Sequence, residues 1–381
     1  MTTYGSGTLP LALQAPAWEV WLERYDGSAL LPLTDMVNRG HLYVSLNGLG
    51  SCSLELSLDK LQAAGYKDIP TDSLLEFRRK HGAVKSFSFY KRKTTRTQDG
   101  LIVAGMGLNH LLKRRVIAYY TGSSFAKKTA ALDDMMKAIV KENCYTEAVD
   151  YEDGTTVVPE RDYSQIIDFT VQPETTLAPS ASVAFAWDNV YETLVKLAEN
   201  ATQQGTRLFF EVVRVSDNAF QFQTFANAYG IDRRGQQIFS AAFGNLTDTE
   251  LTLDRSNEVN YLYVAGKGRE EYRKIEEVQN VANVQHSPLN RIEGVYNATN
   301  TDDNALASVG YQALERNKPL RLFKGQLQDA EGSRYGLDWD LGDLLDAQDG
   351  EEEFEIMVTG VEFDFSGGKT SIKGRFQVLD E

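Results

Sequence analysis

The chain has 381 residues, a formal net charge of −15 and 42% hydrophobic side chains. That length accommodates roughly two to four domains, and the apolar fraction is enough for real cores and gives no reason to invoke global disorder. So acidic a chain repels phosphate backbones and anionic lipid headgroups, which sets nucleic-acid binding and stable membrane binding aside. The 18 Tyr and 18 Phe favour β structure, because aromatic rings pack well on a pleated, half-buried surface. Neither a secretory leader nor a spanning helix is expected: the first 20 residues lack Lys and Arg, and no apolar run approaches about 18 residues.

In chain order, Trp18, Val20 and Leu22 alternate with Glu19, Trp21 and Glu23, a strand that ends in the turn signal Tyr25 to Ser28. His41 to Leu46 and Ser51 to Leu58 flank Asn47-Gly48-Leu49-Gly50, a hairpin-like pair with glycine where positive φ is needed. Val84 to Lys91 and Leu101 to Gly105 read as further strands. Cys52 alternates with Leu54 and Leu56, as a small apolar residue on a buried face does. The second cysteine is Cys144, and two cysteines make no disulfide framework.

The period then changes. Leu132, Met135, Met136, Ile139 and Val140 recur at helical spacing, predicting a helix over Ala126 to Asn143. Residues 150–182 are loop-rich, with prolines at 159, 173 and 179. A second helix is expected from Asn189, with Gly205 as its stop. Leu208 to Val215 and the run Phe220, Phe222, Phe225 follow as strands. Val259 to Ala265 is a strand before the charged stretch Gly266 to Glu277, and a third helix is predicted over Asp303 to Asn317. From Tyr335 the chain is β again, with Phe354 to Phe365 and Ser371 to Leu379 around the Gly367-Gly368 turn.

The residues carry little chemistry. Of the four histidines, His41, His81, His110 and His286, none stands at metal-ligand spacing from a cysteine or another histidine. Gly105-Met106-Gly107-Leu108-Asn109-His110 puts His110 where a dinucleotide fingerprint needs glycine, so a tight turn is the reading. Asp338-Trp339-Asp340-Leu341-Gly342-Asp343 holds the carboxylates of half a calcium loop. It lacks glycine at the sixth position and has Asp349 where the bidentate Glu belongs. The basic spots Lys91 to Lys93, Lys113 to Arg115 and Lys127-Lys128 are short, as at solvated strand ends or helix starts. No catalytic, cofactor-binding or metal-binding residue is assigned, and no cofactor is called for.

One resemblance organises these pieces. The segment Gly100 to Tyr120, the amphipathic helix after it, the strand Asn260 to Gly266 with Arg269 and Arg273 behind it, the helix Asp303 to Asn317 and the segment Tyr335 to Asp343 occur in that order. Together they resemble the siphophage tail hub, or tail-associated baseplate hub, family of the ReqiPepy6 type.

The resemblance implies an α+β, predominantly β fold: tail-tube-like β-barrels with inserted helix-bearing α/β segments. On it, residues 1–124 form an N-terminal barrel, 125–325 a mixed region contributing to a second barrel, and 326–381 a C-terminal barrel segment. It further implies a non-enzymatic homotrimer at the virion's tail tip, assembled in the host cytoplasm. Its partners would be the distal tail protein, tail tube, tape-measure protein and tip or fibre proteins, with DNA only passing through the lumen. Hydrolase domains that some relatives carry are expected to belong to another protein here. Two rivals stand beside this reading: a tail-associated cell-wall hydrolase, and a carbohydrate-binding module using Trp18, Trp21 and Trp339.

Overall fold

The computed structural model describes residues 18–379 apart from 81–84, 99, 119–125, 186, 269 and 300–305. His81, Val84, Tyr119, Tyr120, Arg269 and the helix start at Asp303 therefore lie outside the described residues. The chain opens with β1 (Trp18–Glu23), β2 (Ala29–Pro32), β3 (Val37–Ser45), β4 (Ser51–Leu56), α1 (Leu58–Ala63), β5 (Leu74–Arg79), β6 (Lys85–Arg96), β7 (Leu101–Gly107) and α2 (His110–Lys113). It continues with β8 (Ala126–Ala131), α3 (Leu132–Cys144), β9 (Asp168–Val171), β10 (Ser180–Phe185), α4 (Val190–Gln203), β11 (Leu208–Ser216), β12 (Ala219–Ala226) and β13 (Ile238–Ser240). Then come β14 (Leu246–Asp254), β15 (Tyr261–Ala265), β16 (Ile275–Gln279), α5 (Val281–Val284), β17 (Glu293–Asn297), α6 (Leu306–Arg316) and β18 (Leu320–Gln328). The last strands are β19 (Leu344–Asp349), β20 (Glu352–Ser366) and β21 (Lys369–Val378). The fold is predominantly β with few helices, as expected.

The chain divides into two compact units. The first comprises the residues up to Thr247 with Gln326–Gln377; the second comprises Asp248–Gly325 and the residues from Val378.

In the first unit, strands from both ends of the chain share one sheet. From β21 its order is β21-β20-β3-β4-β7-β6-β5-β1-β2, with β19 on β20 and β13 on β19. Beyond β21 come β18, whose Leu327 and Gln328 pair with it, and β14, the two strands along which the chain crosses the boundary between the units. The join is the antiparallel pair β3–β20, in register from Gly360 opposite Ser45 to Ser366 opposite Arg39. Alternation sends Leu42, Phe363 and Phe365 to one face, and aromatic packing there makes the sheet curl. Trp18 on β1 stacks on Phe365 of β20 at 5.2 Å and meets Phe363 edge-on at 5.4 Å. Five strands separate β1 from β20 in the sheet, so only a curled sheet brings these rings together. Gly40 sits under the Phe365 ring, where an added Cβ would lie 2.0 Å from ring carbon; the strand crosses there only as glycine. Tyr335 and Trp339 are buried in the same aromatic cluster, with Tyr335 5.2 Å from Phe363.

Residues 126–226 build a separate layer in this unit. Helices α3 and α4 lay Met135, Met136, Ile139, Val140, Leu194 and Leu197 on the three-stranded sheet β11-β12-β9, against Phe169, Phe210, Phe220 and Phe222. The helix expected from Ala126 begins at Leu132. Before it, Ala126–Ala131 pair with β10 from Phe185 to Ser180. The reason is in the pattern: Lys127 and Thr129 alternate outward at period two, and the helical apolar spacing starts only at Leu132.

No side chain caps α3; its first-turn carboxylates instead hold the segment that leads into β10. Asp133 accepts from the amides of Leu177 and Ala178, and Asp134 from the amide of Thr175. The fully buried Lys137 balances them from one turn on, 3.6 Å from Asp133 and 3.3 Å from Asp134. Burial pushes the Asp134 carboxyl up, but hydrogen bonds from Thr176 and Thr175 outweigh it and hold the group below its usual range. Helix α4 begins as expected, with Asn189 capping the amide of Glu192, and its end is followed by Gly205 at φ +85°.

The second unit packs α6 on the sheet β16-β15-β17, with Leu306, Ala313 and Leu314 against Leu262, Val264 and Val278.

Candidate functional site

Within the first unit a cavity of about 410 Å³ lies between the β3–β4 turn, strands β5 and β6, and strand β11. Glu76, Arg78, Ser86 and Ser88 project into it from the face of the curled sheet opposite its aromatic interior, by alternation with Phe77, Phe87 and Phe89. Arg214 of β11 reaches across. Its guanidinium stands 2.7 Å from Glu23 and 3.1 Å from Glu76, and it also donates to the backbone oxygen of Gly27 at 3.1 Å. Both glutamates are almost fully buried. Burial raises the Glu23 carboxyl above its ordinary value, and Arg214 works against that rise. Ser88 donates to Glu76, so that carboxylate is already held by a hydroxyl and an arginine. No histidine or cysteine is among the lining residues, and the wall reads as a joint between layers.

Two asparagines finish that joint. The Asn47 side chain accepts from the amide of Phe210 at 2.8 Å and donates to the oxygen of Leu208 at 3.0 Å. Asn109 accepts from the amide of Val212 at 2.8 Å and donates to the oxygen of Gly48 at 2.8 Å. The primary amides act as peptide groups, pairing the edge of β11 that β12 leaves open. Asn47 was legible in the sequence as a turn residue, and its φ of +53° fits that. Its pairing with a strand more than 160 residues away was not.

The other residues singled out by sequence are placed as follows. Asp338 accepts from the amide of Arg334, Asp340 pairs with Lys85, and Asp343 accepts from the amide of Ile231 and from Arg233 at 2.6 Å. The half calcium loop thus sends its three carboxylates to separate partners. Gly105 and Gly107 serve close strand packing: a Cβ on Gly107 would meet the Leu49 oxygen at 2.5 Å.

The basic spots are taken up by protein partners, and Asp72 brings two of them together. Lys91 donates to the oxygen of Ile69, Arg92 and Arg114 pair with Asp72, and Arg115 lies over the Tyr163 ring at 4.4 Å. Cys52 and Cys144 are buried free thiols, each with its pKa raised by burial, Cys144 to about 12. His110 accepts from Arg114 at 3.2 Å; desolvation and that cation lower its pKa to about 4. His41 is the surprise. It stands beside Glu362 and Asp364, residues more than 300 positions away that local spacing could not bring into view.

Trp18 and Trp339 are buried, so two of the three aromatics that suggested a sugar platform belong to the core.

The comparisons with known proteins agree with this architecture. The profile of the family described as Siphovirus ReqiPepy6 Gp37-like protein matches residues 27–376. No curated protein sequence matches the chain. Among solved structures it is similar to the 43 kDa tail protein of prophage MuSo2 from Shewanella oneidensis, with a TM-score of 0.55 at 10% identity, covering 96% of this chain and 97% of that one. The tail protein from Neisseria meningitidis MC58 gives 0.52 at 11% identity, over 96% and 97%. Prophage tail protein gp18 from Listeria monocytogenes EGD-e gives 0.51 at 8% identity, over 94% of each. The chain belongs to the Siphovirus ReqiPepy6 Gp37-like family, and its fold is that of phage tail proteins.

Proposed function

We propose that this chain is a non-enzymatic structural subunit of a phage tail, a hub protein at the tail tip that assembles as a homotrimeric ring closing the distal tube. The observation that carries the reading is the curled sheet: strands from the two ends of the chain join at β3–β20 and close over the Trp18, Phe363 and Phe365 rings. In this reading residues 1–124 and 326–381 supply one tube-like barrel, and 125–325 contribute to a second. Three copies of two barrels then present six similar faces to a hexameric tube, and rotation closes the ring. The expected partners are the distal tail protein, the tail tube, the tape-measure protein and tip or fibre proteins. The net charge of −15 suits a lumen that DNA must cross without sticking.

Mass photometry of the purified full chain, followed by electron microscopy, tests this. A trimer with a central channel is the expected result; a monomer at all concentrations, with no ring in the presence of tail tubes, overturns it. Zymography on peptidoglycan separates the hydrolase reading, for which a cleared band would be required.

A further inference from the structure

We propose that His41, Glu362 and Asp364 form a binding site for a divalent cation of the zinc class, on the face of the β3–β20 pair opposite the aromatic interior. The three come from two strands in fixed register. His41 stands directly across from Asp364, and Glu362 lies two residues along the same strand, across from Tyr43. Alternation puts all three on one face, because their neighbours Leu42 and Phe363 point the other way into the core. Among the described residues this is the one grouping of three His, Cys, Asp or Glu side chains whose ligand atoms all lie within 4.8 Å of one another.

The distances suit a small ion. His41 Nδ1 is 3.0 Å from Asp364 Oδ1 and 3.8 Å from Glu362 Oε1. A tetrahedral ion with bonds of about 2.1 Å holds its ligand atoms about 3.4 Å apart, between those two values. Side-chain adjustment within a group whose ligand atoms all lie within 4.8 Å of one another completes the site, with the fourth position left to water.

The second carboxylate is also pre-oriented. Arg375 approaches Glu362 Oε2 at 3.3 Å while its guanidinium lies 5.0 Å from the Tyr43 ring centroid, and this leaves Oε1 turned toward His41. A contact of that kind, from a group that does not itself bind the metal, fixes a ligand's direction. Imidazole among the donors selects zinc-like ions over calcium and magnesium, which take oxygen alone. All three side chains are partly exposed, so an ion reaches them from solvent without opening the core.

Chelator-stripped full-length protein, titrated with ZnCl₂ by calorimetry at neutral pH, tests the proposal. One saturable site per chain is expected. His41→Ala and Asp364→Asn should each weaken it at least about tenfold, while His286→Ala leaves it unchanged, and far-UV dichroism checks that each variant folds. Co²⁺ in place of Zn²⁺ should give visible ligand-field bands that both site variants lose. No saturable uptake, or uptake unchanged in the two folded site variants, would show that the trio is an ion-pair patch and overturn the proposal.

Discussion

The curled sheet and the α/β layer of residues 126–226 bury aromatics to similar depth but are assembled from very different stretches of chain. The layer is mostly local: α3, α4 and β9 to β12 follow one another and supply most of its core, to which Leu74, Tyr90, Leu108, Leu111, Leu112 and Ile117 are added from earlier in the chain. The sheet waits for β20, which reaches β3 only after more than 300 residues have been made. Closing so long a loop costs conformational entropy that no local contact returns, so the sheet depends more heavily on its aromatic core than the layer does on any one residue.

The molecule offers a probe for each side of this contrast, since Cys52 lies on a sheet strand and Cys144 ends helix α3, both buried and unpaired. Phe363→Ala should cost about 3–5 kcal/mol, because it empties the point where both chain ends meet. It should speed labelling of Cys52 by a thiol reagent more than that of Cys144, and Leu194→Ala should do the reverse. Equal acceleration of both thiols in both variants would show the two regions to be one cooperative unit.

Arg214→Ala attacks the joint between them. It leaves Glu23 and Glu76 buried without their strongest cation, and a loss of about 3 kcal/mol is expected. Burial already raises the Glu23 carboxyl, so mild acid protonates it more readily still once the arginine is gone. The deficit in urea midpoint should therefore shrink as pH falls from 8 towards 5; a pH-independent deficit would mean that lost packing, not charge, is responsible.

Asn109→Ala strands one edge amide of β11 and should cost about 1–3 kcal/mol. Hydrogen exchange at Val212 reports it directly, with faster exchange there than at Phe210, which keeps Asn47.

The smallest effect belongs to His110. Folded, it titrates near 4, against an ordinary value of 6.5. Between those values the unfolded chain binds the extra proton, so stability falls as pH drops through that window. His110→Gln should flatten the slope of melting temperature against pH between about 6.5 and 4; an unchanged slope assigns the acid sensitivity elsewhere.

How much of this was legible in the sequence follows from the same contrast. Period-two alternation at Trp18 to Glu23 and helical spacing from Leu132 report local geometry, and both elements stand where that spacing puts them. Ala126 to Ala131 misled because alanine and lysine suit a helix, while the cross-strand partner that makes them a strand, Ser180 to Phe185, lies some fifty residues on. Arg214 with Glu23, Asn47 with Phe210 and His41 with Asp364 are pairs separated by more than 150 residues. No window on the sequence contains both members of such a pair, so the joint and the histidine trio emerge only from the fold.

The route between the two units has an evolutionary consequence. The chain leaves the first unit along β14 and returns along β18, and these strands are neighbours in one sheet, with the Gln328 amide donating to the Asn245 oxygen at 3.0 Å. Exit and re-entry therefore lie side by side, like the two cut ends of a ribbon. Whatever stands between the end of β14 at Asp254 and the start of β18 at Leu320 can be exchanged, enlarged or trimmed by recombination without altering the strand order of the sheet that carries it. Length differences among tail proteins of this fold are expected to concentrate there, as interchangeable cargo on a common chassis.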